Sequence, residues 1–287
     1  MKKILAIIVT YNRVDLLKRC LNSLRDQTCE DFDILVVNNG STDGTKAFLE
    51  SLNDILVINQ ENVGGAGGFY AGMKYAQDNK YDWVWMMDDD GVADNNQLKY
   101  LFEESKANGL LFANALVCNI NNREELAFGL EEGSCKYRTV HEAQQKDLIE
   151  CINPFNGTFI NMEVLNKIGL VKKEMFIWGD ENEYYHRAMI NNIETKTVTK
   201  ALHYHPKIKG TEMNIFPLWS KYTVRTKPFK MSHIFYRNLG YIYNTYYPKI
   251  VRRLYYKYMI CFILHLKINE LLKFRKYYLM GMNNEYE

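Results

Sequence analysis

Tyr81-Asp82-Trp83-Val84-Trp85-Met86-Met87-Asp88-Asp89-Asp90-Gly91 is an apolar run that stops on three consecutive carboxylates. It reads as a buried strand that delivers a charge cluster to one edge of a sheet. In open α/β sheets, ligands bind in the crevice outside the carboxyl ends of the strands. Adjacent anions repel, and a divalent cation held by oxygen ligands relieves that repulsion. The first and third side chains of such a turn, Asp88 and Asp90, can reach one Mg2+ or Mn2+ ion while Asp89 points elsewhere. Such an ion would bridge the phosphates of a nucleotide diphosphate. The competing reading is a solvated acidic turn that caps the next helix.

Upstream of this strand the pattern is regular. Ile4 to Val9 is a continuous apolar run suited to a central parallel strand covered on both faces. Thr10-Tyr11-Asn12-Arg13 forms the loop after it, and Val14 to Arg25 carries apolar residues at helical spacing. Phe32 to Val37 reads as a second strand, Thr45 to Leu52 as a short helix and Ile55 to Asn59 as a third strand. Between them, Asn38-Asn39-Gly40-Ser41-Thr42-Asp43-Gly44 is made of turn formers and helix caps. This order predicts a parallel sheet with right-handed crossovers. Asn62-Val63-Gly64-Gly65-Ala66-Gly67-Gly68 then opens a helix that runs to about Asn79. Its glycines let a backbone approach a ligand and aim N–H groups at phosphate, or they form a plain flexible turn. Their spacing matches neither a P-loop nor a dinucleotide fingerprint.

Downstream, Leu98 to Lys106 predicts a helix and Leu110 to Asn119 a strand. Asn121 to Glu150 is polar and poorly periodic, and reads as a connecting excursion. Phe155 to Asn161 is a strand interrupted by glycine, followed by a helix over Met162 to Ile168. Phe176-Ile177-Trp178-Gly179-Asp180-Glu181-Asn182-Glu183 is a loop running into a helix that ends near Asn191. Its paired carboxylates suit a general base with a positioning partner. They equally suit ordinary acidic residues in a first helical turn. Glu194 to Tyr204 alternates as a strand and leads to His203 and His205, each a candidate metal ligand or a satisfied surface histidine.

Composition sets the outer limits. The chain has 287 residues, 47% of them hydrophobic and 24% charged, the make-up of a folded globular protein. A net charge of +2 gives no global pull towards nucleic acid. Beyond Thr226, however, basic residues and tyrosines are interleaved, and Val251, Leu254, Tyr258, Phe262 and Leu266 fall at helical spacing. That tail fits either an anionic membrane surface or a packing and oligomer appendage. The six cysteines show no C-x-x-C pair, so reduced thiols are expected in place of a zinc site. Lys2-Lys3 followed by Ile4 to Val9 is too short for a secretory signal. No apolar run approaches the roughly 20 residues of a membrane span.

Several of these segments carry a family likeness when taken in order. They are Ile7 to Arg13, Val36 to Gly44, Asn62 to Gly68, the aspartate triplet, Gly157-Thr158 and Phe176 to Glu183. Together they resemble family 2 glycosyltransferases of GT-A fold, over roughly residues 1–220. Within that family the chain looks most similar to the bacterial galactofuranosyltransferases and rhamnosyltransferases of polysaccharide assembly. The Gly-Gly-Ala-Gly-Gly-Phe run before Asp-Asp-Asp leans towards the galactofuranosyl branch.

The resemblance implies an α/β GT-A domain over 1–225, with a mostly parallel Rossmann-like sheet flanked by helices, and a basic helical region over 226–287. It implies that Thr10, Tyr11, Asn12, Arg13, Asn38 and Asn39 line a nucleotide pocket. Asn38 stands where the family usually has an aspartate. Asn62, Gly64, Gly65, Gly67 and Gly68 would lie beside the donor sugar and diphosphate, with Asp89 near the donor. Asp88 and Asp90 would bind Mn2+ or Mg2+ together with a histidine, His203 or the neighbouring His205. Asp180 would be the base of an inverting displacement. The implied donor is UDP-galactofuranose, or dTDP-rhamnose as the alternative, and the acceptor a glycan or lipid-linked glycan reached from the cytoplasm. Rival classes are a nucleotidyltransferase, which wants a glycine- and arginine-rich loop where Thr10 to Arg13 stands, and a non-catalytic sugar-binding module.

Overall fold

The computed structural model describes residues 3–29, 31–207, 210–217 and 222–286. Contacts divide the chain into two units, Met1–Lys173 with Tyr184–Ile208, and Glu174–Glu183 with Lys209–Glu287. The division falls elsewhere than at residue 225 because the ten residues before Tyr184 pack with the C-terminal helices.

The first unit begins with β1 (Ile4–Thr10), α1 (Val14–Arg25), β2 (Asp33–Asn38), α2 (Thr45–Glu50), β3 (Leu56–Asn59), α3 (Gly64–Asp78) and β4 (Trp83–Asp88). Strand β1 pairs in parallel with β2 and β4, and β2 in parallel with β3. Next come β5 (Val92–Ala93), α4 (Gln97–Asn108), β6 (Phe112–Asn119), β7 (Asn122–Glu132), β8 (Cys135–Thr139), α5 (Val140–Ala143) and β9 (Leu148–Ile149). Then follow β10 (Asn156–Asn161), α6 (Met162–Ile168), α7 (Asp180–Ile190) and β11 (Thr195–His205), with residues 184–190 of α7 in this unit. The main sheet has the order β3-β2-β1-β4-β10-β6-β11-β5. It is mixed, because β10 runs antiparallel to both β4 and β6, while β6 and β11 are parallel.

The strands next to the site are buried along their length, β1 without exception. Trp83 of β4 stacks on Phe159 of β10 with ring centroids 4.4 Å apart. Helix α3 lies close on β1. A Cβ at Gly68 would stand 2.4 Å from Val9 Cγ1, and one at Gly72 2.4 Å from Ile7 Cγ2. Part of the glycine run therefore serves helix-on-strand packing, which the sequence pattern alone does not distinguish from ligand approach.

The polar stretch expected as a connecting excursion is the β7–β8 hairpin with α5 and β9. Leu126, Leu130, Tyr137 and Ala143 bury in a small cluster with Leu116, Cys118, Ile149 and Tyr204. With Ala127, five buried residues spread over eighteen positions leave too little alternation to read as strands.

The second unit holds β12 (Thr211–Asn214), β13 (Thr223–Thr226), α8 (Ser232–Tyr246), α9 (Val251–Leu264) and α10 (Ile268–Met282). Its core is aromatic, with Tyr236, Tyr258, Phe262, Phe274 and Tyr278 mutually packed. Tyr258 stacks on Phe274 at 4.7 Å. The buried hydroxyls find acceptors, Tyr236 on Glu270 Oε2 at 2.7 Å, Tyr258 on Arg225 O at 2.8 Å and Tyr278 on Val251 O at 2.9 Å. Several tyrosines of the basic tail are thus core residues with a satisfied polar end. Among the described residues no helix is long and apolar enough to cross a membrane.

Candidate active site

Register builds the site. Val9 pairs with Asp88 and Thr10 with Asn38, so the loops after β1, β2 and β4 emerge at one sheet edge. Thr10 Oγ1 donates to Asp89 Oδ2 at 2.7 Å. Arg13 Nη1 lies 3.2 Å from Asp89 Oδ1 and 3.2 Å from Asp90 Oδ2. Arg19 Nη2, which the sequence did not single out, donates to the Asp90 carbonyl at 3.4 Å. Its signal was only its place in the first turns of α1 beside a charged loop.

The carboxylates are unequal. Burial, then Asp90 and Asp89, raises Asp88 to about 8. Burial also raises Asp89, against the Thr10 hydrogen bond and the charge of Arg13. Asp90 is lowered, because His205 and Arg13 outweigh its burial. Burial and mutual repulsion thus oppose ionising all three carboxylates together, and the charge of Arg13 does not relieve them all.

The two histidines separate at this point. His203 is fully buried, its Nδ1 3.2 Å from the Gln97 side chain, and its Nε2 packs where a Cβ on Gly91 would stand 2.3 Å away. Burial, then His205, lowers its pKa to about 3, so the ring is neutral. His205 instead faces the carboxylates, with Nε2 3.1 Å from Asp90 Oδ1. Its Nδ1 lies 2.7 Å from Pro206 O, and although burial lowers its pKa, the pairing with Asp90 outweighs that and raises it. Asp90 Oδ1 is buried and makes no hydrogen bond of acceptable geometry among the described residues. Asp88 left uncompensated, Asp90 paired only with His205 and Arg13, and a buried His203 Nε2 without a hydrogen-bond partner among the described residues together fit a hard divalent cation. No three histidine, cysteine or carboxylate side chains converge into a ready-made cage among the described residues. Mg2+-type ions characteristically leave positions for water and substrate phosphate.

Around this edge the amides are tied to one another. Asn12, at φ +54, accepts from Thr42 N at 2.6 Å, and its own N–H donates to Ser41 Oγ at 2.9 Å. Asp43 accepts from Val14 N at 3.2 Å and from Thr45 Oγ1 at 2.6 Å, and that Thr45 bond leads the lowering of its pKa. Asn38 donates to Asn59 Oδ1 at 2.8 Å and accepts from Ser41 N at 3.1 Å. Asn39 donates to Gly64 O at 2.8 Å, and Asn62 Oδ1 accepts from Gly64 N at 3.0 Å. Gly64, Gly67 and Gly68 are buried in the first turns of α3, and Gly65 is partly open with nothing near its missing Cβ. Tyr11 is exposed, and Arg13 is half-exposed while paired with Asp89 and Asp90.

In the second unit, Asp180 and Glu183 are buried at the start of α7. The preceding chain takes left-handed conformations at Phe176 (φ +64), Trp178 (φ +64) and Gly179 (φ +112). Bulky residues adopt these angles only when their surroundings enforce them. Asn238 of α8 supplies the enforcement. Its Nδ2 donates to Met175 O at 2.8 Å, Ile177 O at 3.0 Å and Trp178 O at 3.1 Å. Tyr246 O–H donates to Glu183 Oε1 at 2.8 Å, and Lys227 Nζ sits 4.7 Å over the Trp178 ring. Neither Asn238 nor Tyr246 was marked as a site residue by sequence, for both lie among the interleaved basic residues and tyrosines of the tail.

Comparison with known proteins points the same way as the geometry. The family model "Glycosyl transferase family 2" matches residues 5–169. Galactofuranosyltransferase GlfT1 of Mycobacterium tuberculosis is 34% identical over 214 residues, 71% of this chain and 70% of that protein. Among solved structures, S. aureus TarS 1-349 in complex with UDP covers 92% of this chain and 70% of its own, at TM-score 0.57 and 16% identity. GalNAc-T7 with UDP, GalNAc and Mn2+ covers 86% of this chain and 49% of its own, at TM-score 0.60 and 14% identity. These structural likenesses are of fold, a GT-A-like mixed sheet flanked by helices. With its α/β unit matched from β1 to the end of α6, the chain belongs to glycosyl transferase family 2 and is a glycosyltransferase.

Proposed function

We propose that this enzyme is a metal-dependent, inverting transferase that moves galactofuranose from UDP-galactofuranose to a glycan acceptor in bacterial surface polysaccharide synthesis. The observation that carries the sugar assignment is the 34% identity to a galactofuranosyltransferase over more than two thirds of both chains. The carboxylate edge supports the metal. Asp88 and Asp90 are its carboxylate ligands, and the imidazole is His205 in place of His203, because only His205 reaches Asp90. When bound there, a divalent cation supplies positive charge for the departing diphosphate. Asp89, held on both oxygens by Thr10 and Arg13, fixes the Arg13 guanidinium for the donor phosphates. Thr10, Tyr11, Asn12, Asn38, Asn39 and Asn62 frame the nucleotide, with Gly64, whose N–H is tied to Asn62, and Gly65 in the first turn of α3 beside the diphosphate.

Asp180 acts as the base. It takes the proton of the acceptor hydroxyl as that oxygen attacks the anomeric carbon. The bond from that carbon to the diphosphate oxygen breaks on the opposite face, and nucleoside diphosphate leaves. Nucleotide release from a panel of UDP- and dTDP-sugars, with and without Mn2+, tests the reading. UDP release from UDP-galactofuranose alone, lost with chelator, is the expected result. Release of dTDP from dTDP-rhamnose would move the assignment to rhamnose, and metal-independent turnover would remove the cation.

A further inference from the structure

Helix α9 ends at Leu264 and α10 begins at Ile268. The turn between them is closed by Leu266 N–H donating to Ile263 O at 3.0 Å and Lys267 N–H donating to Phe262 O at 2.9 Å. This bond pair ends a helix around one left-handed residue, a position that glycine normally fills. Here it is leucine, at φ +53 and 83% exposed. Backbone strain and a bare leucine thus coincide at one point, and neither helps the free protein.

The exposed apolar surface extends on both sides of that leucine. Ile260, Ile263, Leu264, Ile268 and Leu272 are all exposed within one turn or two of it. The same helices carry Arg252, Arg253, Lys257, Lys267 and Arg275, none with an ion-pair partner among the described residues. Glu270 is the one carboxylate between Ile250 and Asn284, and it accepts from Tyr236 at 2.7 Å and Ser232 at 3.3 Å. An apolar tip with uncompensated cations complements a surface that layers anions over hydrocarbon. A second copy meeting this tip with its own tip would set these cations against their own kind. Neither helix is long and apolar enough to span.

We propose that the α9–α10 turn docks on an anionic lipid bilayer, with Leu266 and its apolar neighbours entering the headgroup–acyl boundary. This stands independently of which sugar is transferred. The test is co-sedimentation of the full chain with phosphatidylcholine vesicles and with vesicles also containing phosphatidylglycerol. Binding to the second only, weakening with salt, is expected. Leu266→Asp should lower that partitioning by about tenfold or more, since burial of a leucine is lost. Lys267→Gln should lower it about fivefold, the weight of one basic residue at an anionic surface. Leu266→Trp should give a blue-shifted emission on vesicles. UDP release without lipid should be unchanged in all three variants, which separates this proposal from the catalytic one. Equal binding by the Leu266→Asp variant, or none by the wild type, would overturn it. So would a dimer in sedimentation velocity that Leu266→Asp disperses while vesicle binding persists.

Discussion

The carboxylate edge of the α/β unit and the segment before Asp180 in the helical unit are built on opposite principles. At the edge, polar side chains hold one another in parallel. Asn12 is tied to Ser41 and Thr42, Asp43 to Val14 and Thr45, Asn38 to Asn59 and Ser41, and Asn39 to Gly64. In the helical unit, the segment with left-handed Phe176, Trp178 and Gly179 sends three carbonyls to one amide, that of Asn238, while Gly179 N–H is held separately by Glu181 Oε2 at 2.9 Å. Each bulky residue held there costs about 1–2 kcal/mol. Asn238 Oδ1 itself is buried with no hydrogen-bond partner among the described residues, so its orientation is dictated by the three carbonyls. Redundant wiring tolerates the loss of a bond, whereas a single anchor does not.

The contrast breaks first at Asp180. Asp180→Asn should reduce turnover by about 10²–10⁴-fold, the contribution of a positioned base. Donor binding, followed by calorimetry with UDP, should be unchanged. Near-normal turnover would place the base elsewhere and leave the strained segment without a catalytic purpose.

Asn238 is the sharper probe. Asn238→Ala removes the donor to three carbonyls without touching a charged group. Misplacing a reacting group by about an ångström costs on the order of 10²-fold, so kcat should fall by about that much. KM for the donor should hold. A variant that loses only thermal stability, with kcat intact, would make Asn238 a structural residue and remove the single-anchor half of the contrast.

How far each half was legible in sequence follows from the same difference. The edge is written locally. Thr10 to Arg13, Asn38 to Gly44 and Asp88 to Asp90 are short runs of polar residues directly after apolar strands, and pairing register alone brings them together. The choice between His203 and His205 was not local. Alternation puts both on one face of β11, and what separates them is Gly91 and Gln97 packing on one ring and Asp90 facing the other. Asn238 lies 60 residues from Trp178 in sequence, inside the tyrosine-rich basic tail that reads as a membrane-facing or packing appendage. The β7–β8 hairpin was hidden because its buried residues are few and widely spaced.

His205 and His203 therefore form a paired test at the edge. His205→Ala should weaken Mn2+-dependent UDP binding by about 10–100-fold or more, since losing even an outer partner of a ligand costs that much. His203→Gln should leave Mn2+ affinity within a few-fold, with any loss appearing in the thermal midpoint. The reverse pattern would return the imidazole role to His203 and require Gly91 and its loop to move.

The smallest effect should come from Ser41, and it is the one that decides whether the edge is redundant. Ser41 Oγ accepts from Asn12 N at 2.9 Å. Ser41→Ala deletes that bond and leaves Asn12 still joined to Thr42 at 2.6 Å. A single exposed hydrogen bond contributes about 0.5–1.5 kcal/mol, so UDP affinity should drop at most about tenfold and kcat should not change. If Ser41→Ala instead matched the loss from Asn238→Ala, the loops after β1 and β2 would hang on one side chain as the carbonyls before Asp180 do. The two regions would then differ in chemistry but not in how they are held.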